Sequence, residues 1–239
     1  MVPMTGRRRN ALDLDLCDPS NLTSQRCAEA RALDAAAVQE LGLPSIVLME
    51  NAARGAALVL RQEFGADARV LVLAGKGNNG GDGMALARWF LPRAQVALLG
   101  EPDPERSPDA ALQLSVLRRS GVGVDVAAPV DRLEAMAAGA DVLVDALLGT
   151  GLSSAPRGEV AEWIEWMRDQ ALPVLAIDLP SGLDSDTGEA FEPCARANVT
   201  VSFARPKRGL LERDGPARSG RVHVTSLGLA EPWVEARDG

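Results

Sequence analysis

The chain has 239 residues, a hydrophobic fraction of 46% and a net charge of −8. That length and apolar content suit one sizeable core and exclude a disordered chain. The acidic balance argues against a general nucleic-acid or anionic-membrane surface, and the apolar runs are too short and too often broken by charge for a membrane span.

Residues 1–21 read as a flexible tail. Arg7-Arg8-Arg9 is its compact basic run, but no apolar stretch follows as in a secretory signal. Asp13, Asp15 and Asp18 also fit poorly with an organelle transit peptide. Thr23 or Ser24 is expected to cap a helix over 26–40, with Ala30, Leu33, Ala37 and Leu41 on one face and Gly42 and Pro44 ending it. A second helix over 46–63 lines up Met49, Ala53, Ala57, Leu60 and Phe64. Its small residues Ala52, Ala53, Gly55, Ala56 and Ala57 permit close packing on a neighbour.

From Arg69 onward strands and helices alternate. Strands are predicted over 70–73, 95–99, 122–126, 141–145 and 174–178, and helices near 83–90, 109–119, 130–138 and 159–170. Several strands are nearly continuous apolar runs, as in a sheet covered by helices on both faces. The pattern predicts a doubly wound, single-domain α/β fold. Two late strands follow over 199–203 and 222–226. The domain is placed at 22–230, with a C-terminal tail over 231–239.

In open parallel sheets, ligands bind outside the carboxyl ends of the strands. The first strand there runs into Gly75-Lys76-Gly77-Asn78-Asn79-Gly80-Gly81-Asp82-Gly83, five glycines, two amides and a carboxylate within nine residues. Glycine lets a backbone turn tightly and approach a ligand, and the following helix N-terminus offers free N–H groups. Asp82 there either faces a ligand or caps the helix expected from Gly83. The fourth strand ends in Asp145 and continues to Gly149-Thr150-Gly151-Leu152. The fifth ends in Asp178-Leu179-Pro180-Ser181-Gly182. If those two strands are neighbours, Asp145 and Asp178 share a crevice, and such like charges need a raised pKa or a cation to relieve them. Asn78, Asn79, Thr150 and Ser181 add neutral oxygens, a donor set for a hard cation rather than zinc. The Gly149–Ala155 loop is either an anion-binding nest or a turn before Pro156.

Cys17, Cys27 and Cys194 are too widely spaced for a disulfide framework or a zinc site, and a reducing cytoplasm is expected. The chain has no tyrosine, which excludes a tyrosine-dependent reductase. It has one histidine, His223, which lies in an alternating strand and reads as structural. Carboxylates, amides and backbone are therefore left to do any chemistry.

Several stretches together resemble the YjeF N-terminal domain family, the NAD(P)H-hydrate epimerases. They are Leu48-Met49-Glu50-Asn51-Ala52, Gly77 to Gly83, Val144 to Leu152, Ala176 to Asp184 with Asp186-Thr187-Gly188, and Val201 to Leu210. The resemblance spans about Leu22 to Leu229. It implies a Rossmann-like three-layer α/β/α sandwich with a mostly parallel sheet, often a homodimer, that interconverts the R and S forms of hydrated NADH or NADPH. It further implies that Asn78, Asn79, Gly80, Gly81 and Asp82 contact the hydrated nucleotide. Gly149, Thr150, Gly151, Leu152, Ser153, Ser154 and Ala155 would hold its phosphates, and Asp178 would bind it too. Asn79, Asp145 and Ser181 would ligate one potassium ion (K+) per subunit. Asp145 is the expected acid–base group as well, kept ionised by the cation. Many bacterial relatives continue into a dehydratase domain; this chain is expected to depend on a separate S-specific dehydratase. The lack of tyrosine means that a tyrosine contact seen in some relatives is replaced.

Two other readings compete. A hydride-transferring NAD(P)-dependent oxidoreductase would use Gly75, Gly77 and Gly80, with Glu101 as the ribose-binding acid; it leaves the extra Gly-Asp-Gly and the two aspartate loops unexplained. A non-catalytic nucleotide-binding or dimerisation module of the same fold would have no need of Asn79, Asp145 and Ser181 together.

Overall fold

The computed structural model describes residues 16–17, 22–152 and 154–237. The strands are β1 (Leu16–Cys17), β2 (Val70–Ala74), β3 (Ala94–Leu98), β4 (Gly123–Val126), β5 (Val142–Ala146), β6 (Val174–Ile177), β7 (Val199–Phe203) and β8 (Arg221–Thr225). They form one sheet in the order β1-β8-β7-β6-β5-β2-β3-β4. Strands β2 to β8 are parallel, and β1 adds an antiparallel edge by pairing Leu16 with Thr225. That edge lies within the segment expected as a tail; the rest of 1–21, Ser153 and residues 238–239 fall outside the described residues.

The helices are α1 (Cys27–Leu41), α2 (Ser45–Phe64), α3 (Asn78–Ala87), α4 (Pro108–Arg119), α5 (Val130–Ala137), α6 (Glu159–Asp169), α7 (Gly215–Ser219) and α8 (Glu231–Glu235). Alternate strand residues serve opposite layers, because successive side chains point to opposite sheet faces. Val70, Val72 and Ala74 of β2 pack with Ala56 and Leu60 of α2, Met84 and Leu86 of α3, and Leu114 of α4. Leu71 and Leu73 pack instead with Leu133 of α5 and with Trp163, Ile164 and Met167 of α6. The result is a three-layer α/β/α sandwich.

Two local expectations change. Helix α1 is capped at Arg26, whose N–H donates to Glu29 Oε2 at 2.7 Å, rather than at Thr23 or Ser24. The chain is still extended at Gln25, where its N–H donates to the Pro206 carbonyl and its own carbonyl accepts from the Arg208 N–H, each at 2.9 Å. Helix α3 begins at Asn78, five residues before the expected Gly83, so Asp82 lies inside the helix and caps nothing. Its glycines act through the absence of a side chain. A Cβ on Gly80 would lie 2.0 Å from the Gly75 carbonyl oxygen, one on Gly81 2.7 Å from Met49 Cε, and one on Gly83 2.5 Å from Ala146 Cβ. The string is therefore a helix wedged against β2, β5 and α2.

The C-terminal segment is packed as well. Val234 of α8 is buried, and Glu231 accepts from Arg205 at 2.6 Å. No helix among the described residues is long and apolar enough to cross a membrane.

The chain steps outward from β2 through β3 to β4, then returns to place β5 on the other side of β2 and continues through β6, β7 and β8. The β2–β5 junction is thus the topological switch point, where a crevice opens beyond the strand ends.

Candidate active site

A cleft of about 1160 Å³ opens at that junction, larger than the range of about 300–1,000 Å³ typical of sites for drug-sized ligands. Its walls include Gly75 to Asn79 after β2, Asp82 on α3, Leu147 to Leu152 and Ser154 to Pro156 after β5, and Asp178 after β6. Of the residues expected to touch substrate, Asn78, Asn79, Asp82, Gly149, Thr150, Gly151, Leu152, Ser154, Ala155 and Asp178 face this one space. Ser153 lies outside the described residues. Gly80 and Gly81 are buried in helix packing and are absent from the wall.

The expected cation triad lies at the cleft floor, with Asn79 in the wall and Asp145 and Ser181 buried beneath it. Asp145 is fully buried on β5, opposite Leu73 of β2 and Ala176 of β6. Its Oδ2 accepts from the Ser181 N–H at 2.7 Å, and its Oδ1 from Ser181 Oγ at 2.5 Å and from the Leu147 N–H at 3.3 Å. Ser181 Oγ in turn accepts from the Leu148 N–H at 2.9 Å, while Asn79 Nδ2 donates to the Leu148 carbonyl at 2.9 Å. The three side chains therefore converge on the backbone of Leu147 and Leu148. Burial pushes the Asp145 carboxyl up to about 6, against the opposing pull of the hydrogen bonds from Ser181 and Leu147. Among the described residues no basic side chain pairs with it. No trio of histidine, cysteine, aspartate or glutamate suited to a metal occurs there either. A cation at this place would draw on one carboxylate and neutral oxygens, which fits a hard, weakly charged ion.

On the β6 side the structure adds a residue that sequence reasoning missed. Lys207 Nζ lies 2.8 Å from Asp178 Oδ1, with the lysine side chain 4% and the aspartate 14% exposed. Ser202 Oγ and the Phe203 carbonyl also lie 3.5 Å from the ammonium. Asp178 adopts φ +65°, an uncommon left-handed conformation for a side-chain-bearing residue. Strain of that kind persists where surrounding contacts over-determine it. Here they are the Asp178 N–H to the Val201 carbonyl at 2.8 Å and the ion pair to Lys207. Lys207 stands in the stretch Val201 to Leu210 already noted for resemblance, but no periodicity or spacing distinguishes it from a surface lysine.

Asp34 of α1, Asp109 of α4 and Glu159 of α6 also line the cleft, so five carboxylates there share one buried ammonium. Asp82 makes no hydrogen bond or ion pair among the described residues. Burial, followed by the charges of Asp178 and Asp34, raises its carboxyl well above the usual range, and Lys207 opposes this. At the mouth, Arg31 and Arg157 are exposed and make no ion pair among the described residues. An added Cβ on Gly151 would sit 3.9 Å from the Arg31 guanidinium. Cys27 Sγ donates to the Thr150 carbonyl at 3.2 Å, which ties α1 to the same loop. A glycine loop flanked by two free cations is suited to an anionic group. His223, by contrast, lies outside the cleft wall and bonds Glu63 of α2 at 2.9 Å, a structural role.

Residues 45–209 match the family model described as YjeF-related protein N-terminus. The chain belongs to the YjeF N-terminal family. The match takes in β2 to β7, both aspartate turns and Lys207. Among relatives of this family member, the NAD(P)H-hydrate epimerase of Rhodopirellula baltica is 39% identical, with 92% of this chain and 91% of that protein covered. The NAD(P)H-hydrate epimerase of Weissella koreensis is also 39% identical, over 85% of this chain and 90% of that one. The bifunctional NAD(P)H-hydrate repair enzyme Nnr of Salinibacter ruber is 40% identical, and there the chain spans 40% of the relative's length. The crystal structure of yeast ynu0 superposes with a TM-score of 0.75 at 23% identity, covering 91% of this chain and 94% of that one, and so shares the fold.

Proposed function

We propose that this YjeF N-terminal family member is an NAD(P)H-hydrate epimerase, an isomerase that interconverts the R and S forms of hydrated NADH and NADPH. The observation that carries this reading is the meeting of three separate turns, after β2, β5 and β6, at one cleft beside a buried carboxylate. End-to-end relatives at 39% identity bear that name. The nicotinamide end would lie against Asn78, Asn79, Asp82 and Asp178, and the phosphates against Gly149 to Ala155, with Arg31 and Arg157 at the mouth.

We place one K+ with Asn79, Asp145 and Ser181. When bound it would compensate the buried charge of Asp145 and fix the Leu147–Leu148 backbone that shapes the cleft floor. Asp145 was also expected to move protons. Its complete burial and its occupied oxygens suit the ligand role, and we assign it that role alone. A homodimer in a reducing cytoplasm, passing its product to an S-specific dehydratase, completes the proposal. The bifunctional relatives support coupling of this activity to a further repair step.

The test is a coupled assay. Racemic hydrate with an S-specific dehydratase alone should stop at half consumption, and adding this protein should carry it to completion. A reaction that still stops at half overturns the assignment.

A further inference from the structure

We propose that Asp178 and Asp82 divide the proton transfers of epimerisation between them, with Asp178, ion-paired to Lys207, as the acceptor and Asp82, unpaired among the described residues, as the donor. This rests on the epimerase reading above. Both carboxyls face the cleft, whereas Asp145 lies beneath it with no accessible surface. The two sit in opposite settings. Asp178 is clamped in a left-handed turn against a buried ammonium at 2.8 Å, with Oδ1 engaged and the other oxygen without a partner among the described residues. Asp82 has no partner among the described residues. The charged groups that face it are Asp178 beyond β6, Asp34 on α1, Asp109 on α4 and Lys207, three of them negative. One ammonium cannot neutralise every carboxylate in the cleft, and contact assigns it to Asp178. One carboxyl held against a cation and another left without one is the usual form of an acid–base pair.

Lys207 touches no reacting atom in this scheme and is a positioning residue. Its register is fixed by the backbone of Gln25, which brackets it through the Pro206 carbonyl and the Arg208 N–H.

The hydrated ring carries a hydroxyl at C6 next to N1, and inversion there needs one donor and one acceptor. If the C6–N1 bond opens, Asp178 takes the hydroxyl proton and the O–H pair becomes the carbonyl π bond. The C6–N1 pair moves to nitrogen, which takes the proton of Asp82. Closure on the other carbonyl face reverses both transfers, so each carboxyl ends as it began. If the C6–O bond opens instead, Asp82 protonates the departing water and the N1 lone pair forms the iminium beside Asp178. Water returning to the opposite face then gives its proton to Asp178, and solvent re-equilibrates the pair. Neither route needs an oxidant or co-reactant.

The experiment begins with the unaltered protein in the racemic coupled assay; if that fails, the epimerase reading itself falls. Asp82→Asn and Asp178→Asn are then compared for kcat and for NADP+ binding. Each should lower kcat by about 100-fold or more while leaving the NADP+ dissociation constant within about threefold, the scale on which a polar contact is only weakly perturbed. The kcat/KM profile should be bell-shaped, and Asp82→Asn should flatten its basic limb. Lys207→Met should lower kcat by about tenfold or more while leaving the NADP+ dissociation constant within about threefold, and Lys207→Arg should restore kcat. Lys207→Gln, read the same way, serves if the methionine variant fails to fold. Retention of kcat by Asp82→Asn or by Asp178→Asn, or an equal loss of kcat in Lys207→Met and Lys207→Arg, overturns the proposal.

Discussion

Asp145 is the residue on which the electrostatics of this molecule turn. A carboxylate with no accessible surface and, among the described residues, no cationic partner is costly, and its carboxyl is accordingly raised to about 6. The direction of the pH effect follows. Below about pH 4 the group is protonated in both folded and unfolded chains. Between about 4 and 6 only the folded chain holds the proton, so stability falls as pH rises through that window. Above it the full cost, on the order of 3 kcal/mol, remains unless a cation offsets it. The expected outcome is that KCl raises the melting temperature by several degrees relative to tetramethylammonium chloride at pH 7.5, and by much less at pH 5. Asp145→Asn should abolish the difference. Thermal unfolding at matched ionic strength measures it, and an equal K+ effect at both pH values would count against a cation on Asp145.

Among the elements, α3 decides the shape of the cleft. Its glycines permit contact distances that no other residue allows, which brings Asn79 within reach of Leu148 and turns Asp82 toward the cleft. Gly83 and Gly77 provide the contrast. A Cβ at Gly83 meets Ala146 Cβ at 2.5 Å and Val72 Cγ1 at 3.0 Å, while one at Gly77 meets nothing within 4 Å. Gly83→Ala should therefore destabilise by about 1–3 kcal/mol through overpacking. Gly77→Ala, at an ordinary φ of −101°, should be neutral or stabilise by up to about 1 kcal/mol. Chemical denaturation of the two variants gives the comparison directly; equal effects would mean that the string serves as a turn and not as a packing surface.

At the scale of the whole molecule, the cleft draws on α1, α3, the turns after β2, β5 and β6, and the segment after β7. A ligand seated there bridges elements far apart in sequence, so it should stabilise the fold as a unit. Saturation with NADP+ at about 100 times its dissociation constant should add about 2.7 kcal/mol against global unfolding. Scanning calorimetry should then show one transition moving upward as a whole, and a transition that splits would show that the ligand holds only part of the molecule.

Strands β2 to β8, most of the helices and the three polar turns were legible in the sequence, because period-two and period-3.6 burial and strand-end position are local properties, whereas β1 fell in the expected tail. The adjacency of β5 and β6 came out as the shared-crevice expectation required, but Asp178 lines the cleft while Asp145 is buried beneath it, so the two do not share one crevice. The start of α3 was not legible, since a glycine string reads as a loop until β2, β5 and α2 are seen to close on it. Lys207 was beyond reach for the same kind of reason. It lies 29 positions after Asp178 in a segment without periodicity, and only the pairing of β6 with β7 brings the two side chains to 2.8 Å. Sequence by itself determined which groups stand at the strand ends. Tertiary structure decided which of them meet the cleft, which sink beneath it and which find a counter-charge, because burial and Coulomb attraction depend on distance in space and not along the chain.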